Sequence, residues 1–259
     1  MKELPKKRII LRKKEQPVPE STGDGSIRLN KYISNAGVCS RREADKIISE
    51  GLITVNGKVI TELGHKVSLD DEVRFEGQLL NPEKKVYLLL NKPRGFVTTV
   101  DDPHAERTVM QLVQNACTER IYPVGRLDMQ TTGVLLFTND GELAKKLTHP
   151  SYEKKKVYHV QLDKDFLPEY IEKLLKGIEL EDGFIAADDI HLIDPDDARQ
   201  IGIEIHSGKN HIVRRIFNHL GYQVEKLDRV LFAGLTKKDL PRGRYRFLTP
   251  QEINFLKMS

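Results

Sequence analysis

The chain has 259 residues, 39% hydrophobic and 31% charged, a balance typical of a globular protein with one large or two moderate domains. No apolar run approaches the roughly 20 residues of a membrane span, and the first residues lack the apolar core and cleavage site of a signal peptide. Cys39 and Cys117 are far apart, with no CxxC motif, which predicts two buried free thiols, no disulfide and a cytoplasmic protein.

The net positive charge of the chain is concentrated at its beginning. Residues 1–20 contain seven Lys/Arg and three Glu, so they account for the whole net charge of +4. This segment is rich in basic and turn-forming residues, which predicts a disordered basic tail over residues 1–26. Composition leaves two functions open for it, a solubilising extension and an electrostatic arm for phosphates.

Two short helices and a hairpin are predicted next. Apolar residues at helical spacing indicate a helix from Leu29 to Ala36, ended by Gly37. Ser40 and Glu43 have the spacing of a capping box and begin the second helix, "SRREADKIISEG". "LITVNGKVI" then alternates like a strand, with an Asn-Gly turn at 56–57 and a return strand. We expect a compact domain over residues 27–84.

Basic residues lie near both helix starts of this domain. A helix start presents free N–H groups and a positive dipole end that attract phosphate, although a solvated surface explains any single cation. "RLNKYISNAGVCSRREADKIISEGLITVNGK" resembles the S4 RNA-binding domain, which implies a structured RNA ligand. The candidate RNA contacts are Arg28, Lys31, Ser40, Arg41, Arg42 and Lys58.

The second domain, residues 85–259, is predicted to contain many strands and few helices. "VYLLLNKPRGFVTTV" reads as a strand over 86–90, a Lys-Pro-Arg-Gly turn and a β-branched strand. "RIYPVGRLD", "GVLLFT" and "KKKVYHVQL" are further strands, and "DDIHLIDPDDARQIGIEIHS" is a hairpin. Asn139 and Asp140 cap the helix "GELAKKLTH", "NHIVRRIFNHLG" is another, and Thr249 caps the last. The fold class is therefore α+β, with a mixed, mostly antiparallel sheet.

The chain lacks the sequence motifs of several kinds of nucleotide-binding and metal-binding site. There is no phosphate-binding GxxxxGK[ST], no glycine-rich dinucleotide turn and no zinc-binding HExxH or Cys/His set. His206 and His211 are five apart across a predicted loop, which is not a helical ligand pair. We expect neither a cofactor nor a metal.

Asp128 in "PVGRLDMQTTGVLLFTNDGELA" has no second acid, histidine or cysteine beside it. A turn aspartate bonded to its own backbone is one explanation. Three features favour a functional carboxylate: Arg126 on the same face of an extended segment, the polar turn before Gly133, and the two arginines of "GKNHIVRRIF". An ionised carboxylate without a partner acid suits attack on an electrophilic carbon.

The second domain resembles the RsuA/RluB-type ribosomal RNA pseudouridine synthases. The Asp128 segment matches their signature, and "LLLNKPRGFVTT", "KKVYHVQL", "GIELEDG" and "GKNHIVRRIF" occur in the family's order. The resemblance implies that Asp128 is catalytic, that Tyr158 lies against the target base and that Arg214 pairs with the aspartate. It also implies that Arg126 helps to displace the base. The segment departs from the family's common Gly-Arg-Asn-Arg-Gln at His211 and Ile212.

The remaining candidate RNA contacts are Lys92, Arg94, Lys209 and Arg215. Adjacent helix residues point about 100° apart, so Arg214 and Arg215 cannot both face Asp128.

The resemblance thus predicts an enzyme that isomerises a uridine of ribosomal RNA to pseudouridine without cofactor or metal. We also expect a monomer that is not associated with a membrane. "RIYPVGRLD", "GIELEDG" and "LTPQE" favour the large-subunit 23S RNA. The alternatives are a small-subunit 16S enzyme and a non-catalytic S4-type assembly factor. The residues are compatible with three first steps for Asp128: addition to the base, attack on the sugar, or abstraction of a sugar proton.

Overall fold

A computed structural model describes residues 25–259. The predicted tail, residues 1–26, lies outside the described residues except for its last two. The described chain divides into two compact units between Pro82 and Glu83. Within it, no helix is both long and apolar enough to cross a membrane.

The first unit contains the predicted two helices and hairpin within a larger set of short strands. Its elements are β1 (Ile27–Arg28), α1 (Leu29–Asn35), α2 (Arg41–Ser49), β2 (Ile53–Val55), β3 (Lys58–Val59), β4 (Lys66–Val67), β5 (Val73–Phe75) and β6 (Gln78–Leu79). Strands β3, β2, β5 and β6 form an antiparallel sheet in that order, and β1 pairs with β4. The β2–β3 turn has positive φ at Asn56 (50°) and Gly57 (79°), as a tight two-residue hairpin turn requires.

Local capping chemistry places the helices of this unit as predicted. The Glu43 N–H donates to Ser40 Oγ at 3.3 Å, and the Ser40 N–H donates to the Glu43 carboxylate at 2.8 Å, which is the predicted capping box. Apolar residues of both helices and the sheet form one buried cluster, which includes Tyr32 and Cys39. Both cysteines are free, as expected, but Cys117 in the second unit is only partly buried.

The second unit is built on a large sheet with helices on both faces. Its elements are β7 (Tyr87–Lys92), α3 (Val109–Val113), β8 (Tyr122–Val124), β9 (Thr132–Thr138), α4 (Gly141–Thr148), β10 (Lys156–Leu162), α5 (Glu169–Lys176), β11 (Ile178–Leu180), β12 (Gly183–Ile185), β13 (Asp189–Asp194), β14 (Asp197–Ile205), α6 (Ile212–His219), β15 (Val224–Phe232), β16 (Leu235–Thr236), β17 (Tyr245–Phe247) and α7 (Pro250–Met258). The strand order is β13-β14-β10-β15-β9-β7-β17, with β16 beside β15 and β8 beside β9.

The pairing of β9 with β15 is parallel, and the other pairs of this sheet are antiparallel. The α+β class with a mixed, mostly antiparallel sheet is confirmed.

Strands β7 and β9 are buried on both faces. Alternate residues of β9, such as Leu135 and Phe137, join the cluster under α6, while Val134 and Leu136 join a second cluster under α4 and α7. These continuous apolar strands form a rigid centre, and the loops at their ends are therefore held in fixed positions.

The register of the central strands brings distant residues into one row. Tyr158 on β10 is paired with Arg229 on β15, and Arg229 is paired with Gly133 on β9. Gly133 has φ +108°, and a Cβ there would lie 2.1 Å from the Arg229 carbonyl oxygen. Glycine is therefore required where β9 and β15 meet, five residues after Asp128.

Some elements of the structure differ from those predicted from the sequence. The β-branched strand expected after the Lys-Pro-Arg-Gly turn is wrong: Val97 makes only one isolated bridge, to Thr108, and Thr98 turns its hydroxyl inward. Helices α3 and α5 and strands β11, β12, β15, β16 and β17 were not among the predicted elements.

Candidate active site

Asp128 lies in the loop of residues 125–131, called here the Asp128 loop, which connects β8 to β9. Gly125 has φ 73°, and the Thr131 N–H donates to the Asp128 carbonyl at 3.0 Å, closing a tight turn. Thr98 holds the loop from behind, because its hydroxyl donates to the Leu127 carbonyl at 2.6 Å and accepts from the Leu127 N–H at 3.3 Å. The backbone on both sides of Asp128 is thus fixed.

Lys92 supports the same loop from the interior. Its side chain is fully buried. Its Nζ donates to the carbonyls of Thr131 (2.9 Å), Asp128 (3.0 Å), Met129 (3.3 Å) and Pro93 (3.3 Å). Burial lowers the pKa of Lys92 to about 8, and the Asp128 carboxylate opposes that shift. The prediction that Lys92 contacts RNA is wrong, because the whole ammonium group is used inside the protein.

The turn that follows Lys92 also touches the Asp128 loop. The Gly95 N–H donates to the Met129 carbonyl at 2.8 Å, and Arg94 donates through Nε to the Gln130 side chain. Arg94 is exposed, so its predicted RNA contact stays a prediction.

The Asp128 carboxylate itself is only loosely held. Thr131 Oγ1 lies 3.4 Å from one carboxylate oxygen, and His211 Nε2 lies 3.5 Å from the other. The Asp128 side chain is 31% exposed and that of His211 52%. Because both contacts are long, the carboxylate keeps free lone pairs toward solvent and any bound substrate.

Arg214 faces Asp128 without touching it. Its Nη1 donates to the Val224 carbonyl at 2.8 Å. Burial lowers the pKa of Arg214, and the Asp128 charge opposes that change, so the two charges interact across a gap. The direct ion pair implied by the resemblance is not formed here, since the guanidinium is held by Val224 and the side chain 3.5 Å from the Asp128 carboxylate is the His211 imidazole.

Arg215 points elsewhere, as the helical angle predicts. It donates to both carboxylate oxygens of Asp182, in the turn between β11 and β12, at 2.9 and 2.5 Å. Lys209 Nζ donates to the Asp182 carbonyl at 2.8 Å. The Arg215 hydrogen bonds lower the pKa of Asp182 to about 2. Asp182 thus binds both cations in this structure, and their predicted contacts with RNA stay a prediction.

A cavity of about 240 Å³ opens beside Asp128. Tyr158 and Arg229 form part of its wall and are buried, with Arg229 only 3% exposed. Arg229 donates twice to the Val134 carbonyl, at 2.8 and 2.9 Å, and its guanidinium lies 4.6 Å from the Phe232 ring centre. Arg126 lines the cavity from the exposed side. The structure thus places Asp128, Tyr158 and Arg126 around one cavity, and their catalytic roles stay predictions.

Sequence reasoning missed two cavity residues. Lys156 Nζ donates to the carbonyls of His206 (2.7 Å) and Lys154 (3.0 Å), and burial, with Arg229 nearby, lowers its pKa to about 8. Strand alternation placed Lys156 on the face of Tyr158, two residues away, so that signal was present. Arg229 had no such signal, because only the sheet register puts it beside Tyr158.

The described residues contain no group of three His, Cys, Asp or Glu side chains placed to hold a metal ion. The cavity instead combines one carboxylate with several cations, a tyrosine ring and apolar walls. Such a site can bind a flat, polar ring and act on it through a carboxylate.

Family comparisons agree with this geometry. The model described as RNA pseudouridylate synthase matches residues 86–219, and that of the S4 domain matches residues 27–73. The chain belongs to the RNA pseudouridylate synthase family.

Among its relatives, it is 43% identical over 233 residues to the ribosomal large subunit pseudouridine synthase B of Bacillus subtilis, covering 89% of this chain and 95% of that one. It is 38% identical over 237 residues to the Pseudomonas aeruginosa protein of the same name, covering 88% of this chain and 61% of that one. A solved structure titled as a pseudouridylate synthase matches with TM-score 0.64 and 31% identity, over 89% of this chain and 99% of that chain.

Membership in the pseudouridylate synthase family makes this protein an enzyme that isomerises uridine in RNA. Its S4 domain is an RNA-binding module, and the structure exposes most of the cations predicted there: Arg28, Arg41, Arg42 and Lys58 are exposed, and Lys31 is partly buried. Ser40 differs, because its hydroxyl caps α2. Arg41 also donates to the Asn30 side chain at 3.2 Å, which draws it toward the start of α1.

Proposed function

We propose that this protein converts a specific uridine of large-subunit ribosomal RNA to pseudouridine, with Asp128 as the catalytic carboxylate. The observation that carries the proposal is the partly exposed Asp128 at the mouth of a cavity walled by Tyr158, in a chain closely similar to the Bacillus subtilis large-subunit enzyme. The reaction is an isomerisation, so atoms and electrons balance within the substrate.

The target nucleotide must leave the RNA stack to reach the cavity. Unstacking costs a few kcal/mol, less in a loop than in a duplex. The exposed Arg126 is placed at the mouth, where it can fill the space that the base vacates. Tyr158 offers a ring against which the uracil packs, and the apolar wall excludes water.

The chemistry follows from the carboxylate position. The bond between N1 of the base and C1′ of the ribose breaks, the uracil turns, and C5 bonds to C1′ while its proton is lost and N1 gains one. Asp128 either adds to the base, attacks C1′ or removes a sugar proton. Arg214 interacts electrostatically with the Asp128 carboxylate without contacting it, and its positive charge favours the ionised form.

The rest of the chain holds the RNA. We propose that Arg28, Arg41, Arg42 and Lys58 of the S4 domain contact phosphates, with Arg94 beside the active site. The protein acts as a monomer in the cytoplasm, on ribosomal RNA or an assembly intermediate. We further propose the domain division expected from the sequence, residues 27–84 for RNA binding and 85–259 for catalysis.

Pseudouridine mapping of ribosomal RNA tests this function. Cells lacking the gene should lose pseudouridine at one large-subunit position, wild-type protein should restore it, and Asp128→Asn should not. Loss at a small-subunit position would instead assign the 16S alternative. An unchanged map in the deletion strain, with normal RNA binding, would favour the non-catalytic assembly factor.

A further inference from the structure

Among the described residues, His211 is the basic side chain that comes within 4 Å of the Asp128 carboxylate. Its Nε2 lies 3.5 Å from Asp128 Oδ1, whereas Arg214 is held away by its hydrogen bond to Val224. Among the described residues that line the cavity, Asp128 is the only acid. An imidazole at this distance carries a charge only when it is protonated, so the field at the carboxylate depends on pH.

The backbone fixes where the imidazole points. His211 is the residue immediately before α6 and has φ 50°, in the left-handed region where histidine is more frequent than most residues. Its carbonyl accepts from the Arg215 N–H at 3.0 Å, and Ile212 and Val213 beside it are buried. The contact with Asp128 therefore results from how α6 begins.

Other charged groups surround the contact between His211 and Asp128. Those that line the cavity are Arg126 in the Asp128 loop, Lys156 on β10, Lys209 before α6 and Arg229 on β15. Lys92 on β7 and Arg214 on α6 interact electrostatically with Asp128, and Arg94 after β7 interacts with Arg214. The phenol of Tyr158 also faces the cavity. The arginines stay charged at all working pH values. Burial lowers the pKa of both Lys92 and Lys156 to about 8, above the usual pKa of histidine.

We propose that protonated His211 holds the Asp128 carboxylate in its reactive position and thereby makes turnover depend on pH. His211 acts through Asp128, so it is a positioning residue. When the imidazole loses its proton the charge is lost, and Thr131 is then the side chain that still contacts the carboxylate. This inference rests on the proposed role of Asp128.

A comparison of wild type with His211→Arg and His211→Gln distinguishes this role from a structural one. The single-turnover rate at saturating enzyme is measured between about pH 5.5 and 7.5 on an RNA fragment containing the mapped uridine. This range lies above the ordinary titration of carboxylates and below the pKa of about 8 of Lys92 and Lys156. Wild-type rate should fall about three- to fivefold across the range, the size expected for a partly exposed ion pair. His211→Arg, which keeps the charge, should give a flat profile near the low-pH wild-type rate. His211→Gln, which keeps only hydrogen bonding, should be flat near the high-pH rate.

RNA affinity, measured on the same samples, shows whether His211 acts by binding phosphate instead. A wild-type profile that is flat, or profiles that fall equally in all three proteins, would overturn the proposal. A fall that appears in affinity and not in the saturated rate would also overturn it. Failure of the proposed function looks different, because wild-type protein would then make no pseudouridine at any pH.

Discussion

Behind the Asp128 loop, Lys92 and Thr98 are buried and bind its backbone, whereas in front of the loop Asp128 and His211 are partly exposed and make only long contacts. The rear contacts include hydrogen bonds of 2.6, 2.9 and 3.0 Å and are made in the interior, where hydrogen bonds are strongest. The front contacts are weak enough to be exchanged for substrate. The buried contacts of Lys92 and Thr98 therefore fix the backbone of the Asp128 loop. The residues that line the cavity determine the surroundings of the Asp128 carboxylate.

The same contrast separates two buried lysines. Lys92 and Lys156 both have a pKa of about 8 because of burial, and both donate to backbone carbonyls. Lys92 binds four carbonyls around the Asp128 loop, while Lys156 lies in the cavity wall. We expect substitution of Lys92 to lower both stability and turnover, and substitution of Lys156 to weaken mainly the interaction with the substrate.

The largest effect is expected for Lys92→Met, which removes the donor from four carbonyls, one in a buried hydrogen bond and three in partly buried ones. An unsatisfied buried acceptor costs about 1–3 kcal/mol, so the free energy of unfolding should fall by roughly 3–5 kcal/mol. Turnover should fall further than the loss of folded protein explains. Urea unfolding and single-turnover rates measure both, and Lys145→Met, at an exposed lysine of α4, is the matched control. A folded variant with a normal rate would show that the rear contacts do not position Asp128.

Arg214→Ala should have the next largest effect. It removes the donor to the Val224 carbonyl and the charge that interacts with Asp128. The loss of a charged hydrogen bond, about 1.5–3 kcal/mol, corresponds to a fall in turnover of about ten- to a hundredfold. Arg215→Ala breaks an exposed pair with Asp182 and should change turnover by less than about fivefold. A loss of turnover in Arg215→Ala with a normal rate in Arg214→Ala would reverse the assignment.

The two lysines also predict a pH dependence of stability. Their pKa values of about 8 lie below the ordinary 10.5, so between these values the unfolded chain binds more protons. Stability should therefore rise with pH over that interval and be lost as pH falls through 8. For the fully buried Lys92 the slope is at most about 1.4 kcal/mol per pH unit. Urea unfolding at several pH values should show a smaller slope in Lys92→Met than in wild type; an equal slope would mean that Lys92 is not the buried cation responsible.

Thr98→Val is the mildest test of the rear contacts. It keeps the shape of the side chain but removes the two hydrogen bonds to Leu127, so stability should fall by about 1 kcal/mol. Turnover should fall modestly, because the loop backbone gains freedom. Thr99→Val is the control, since Thr99 bonds only to the nearby Asp101 carbonyl. Equal effects in the two variants would indicate that the hydrogen bonds between Thr98 and Leu127 do not position the Asp128 loop.

Elements defined by local chemistry could be predicted from the sequence. The Ser40–Glu43 capping box, the Asn56-Gly57 turn and the Asp140 cap of α4 occur where their residue types indicated. These features depend on neighbours within a few residues, so the sequence alone contains them.

Features that depend on strand pairing could not be predicted. The segment after Lys92 is β-branched, yet Thr98 binds Leu127 instead of extending a strand. Lys92 looked like a surface cation because nothing nearby in sequence shows that the Asp128 loop folds over it. Arg229 reaches the cavity only through the register of β15. Resemblance supplied Asp128, Tyr158 and Arg126, but not the contacts that hold them.

The most direct measurement is the conversion of uridine by purified Asp128→Asn, with RNA affinity measured on the same sample. The substitution keeps the size and the hydrogen-bonding oxygen of the side chain but removes its negative charge. We predict that pseudouridine formation disappears while RNA affinity and unfolding free energy stay close to wild type, because the rear contacts use only the backbone of Asp128. Asp182→Asn, at the exposed partner of Arg215, should keep its activity. Substantial turnover by Asp128→Asn would contradict the assignment of Asp128 as the catalytic carboxylate.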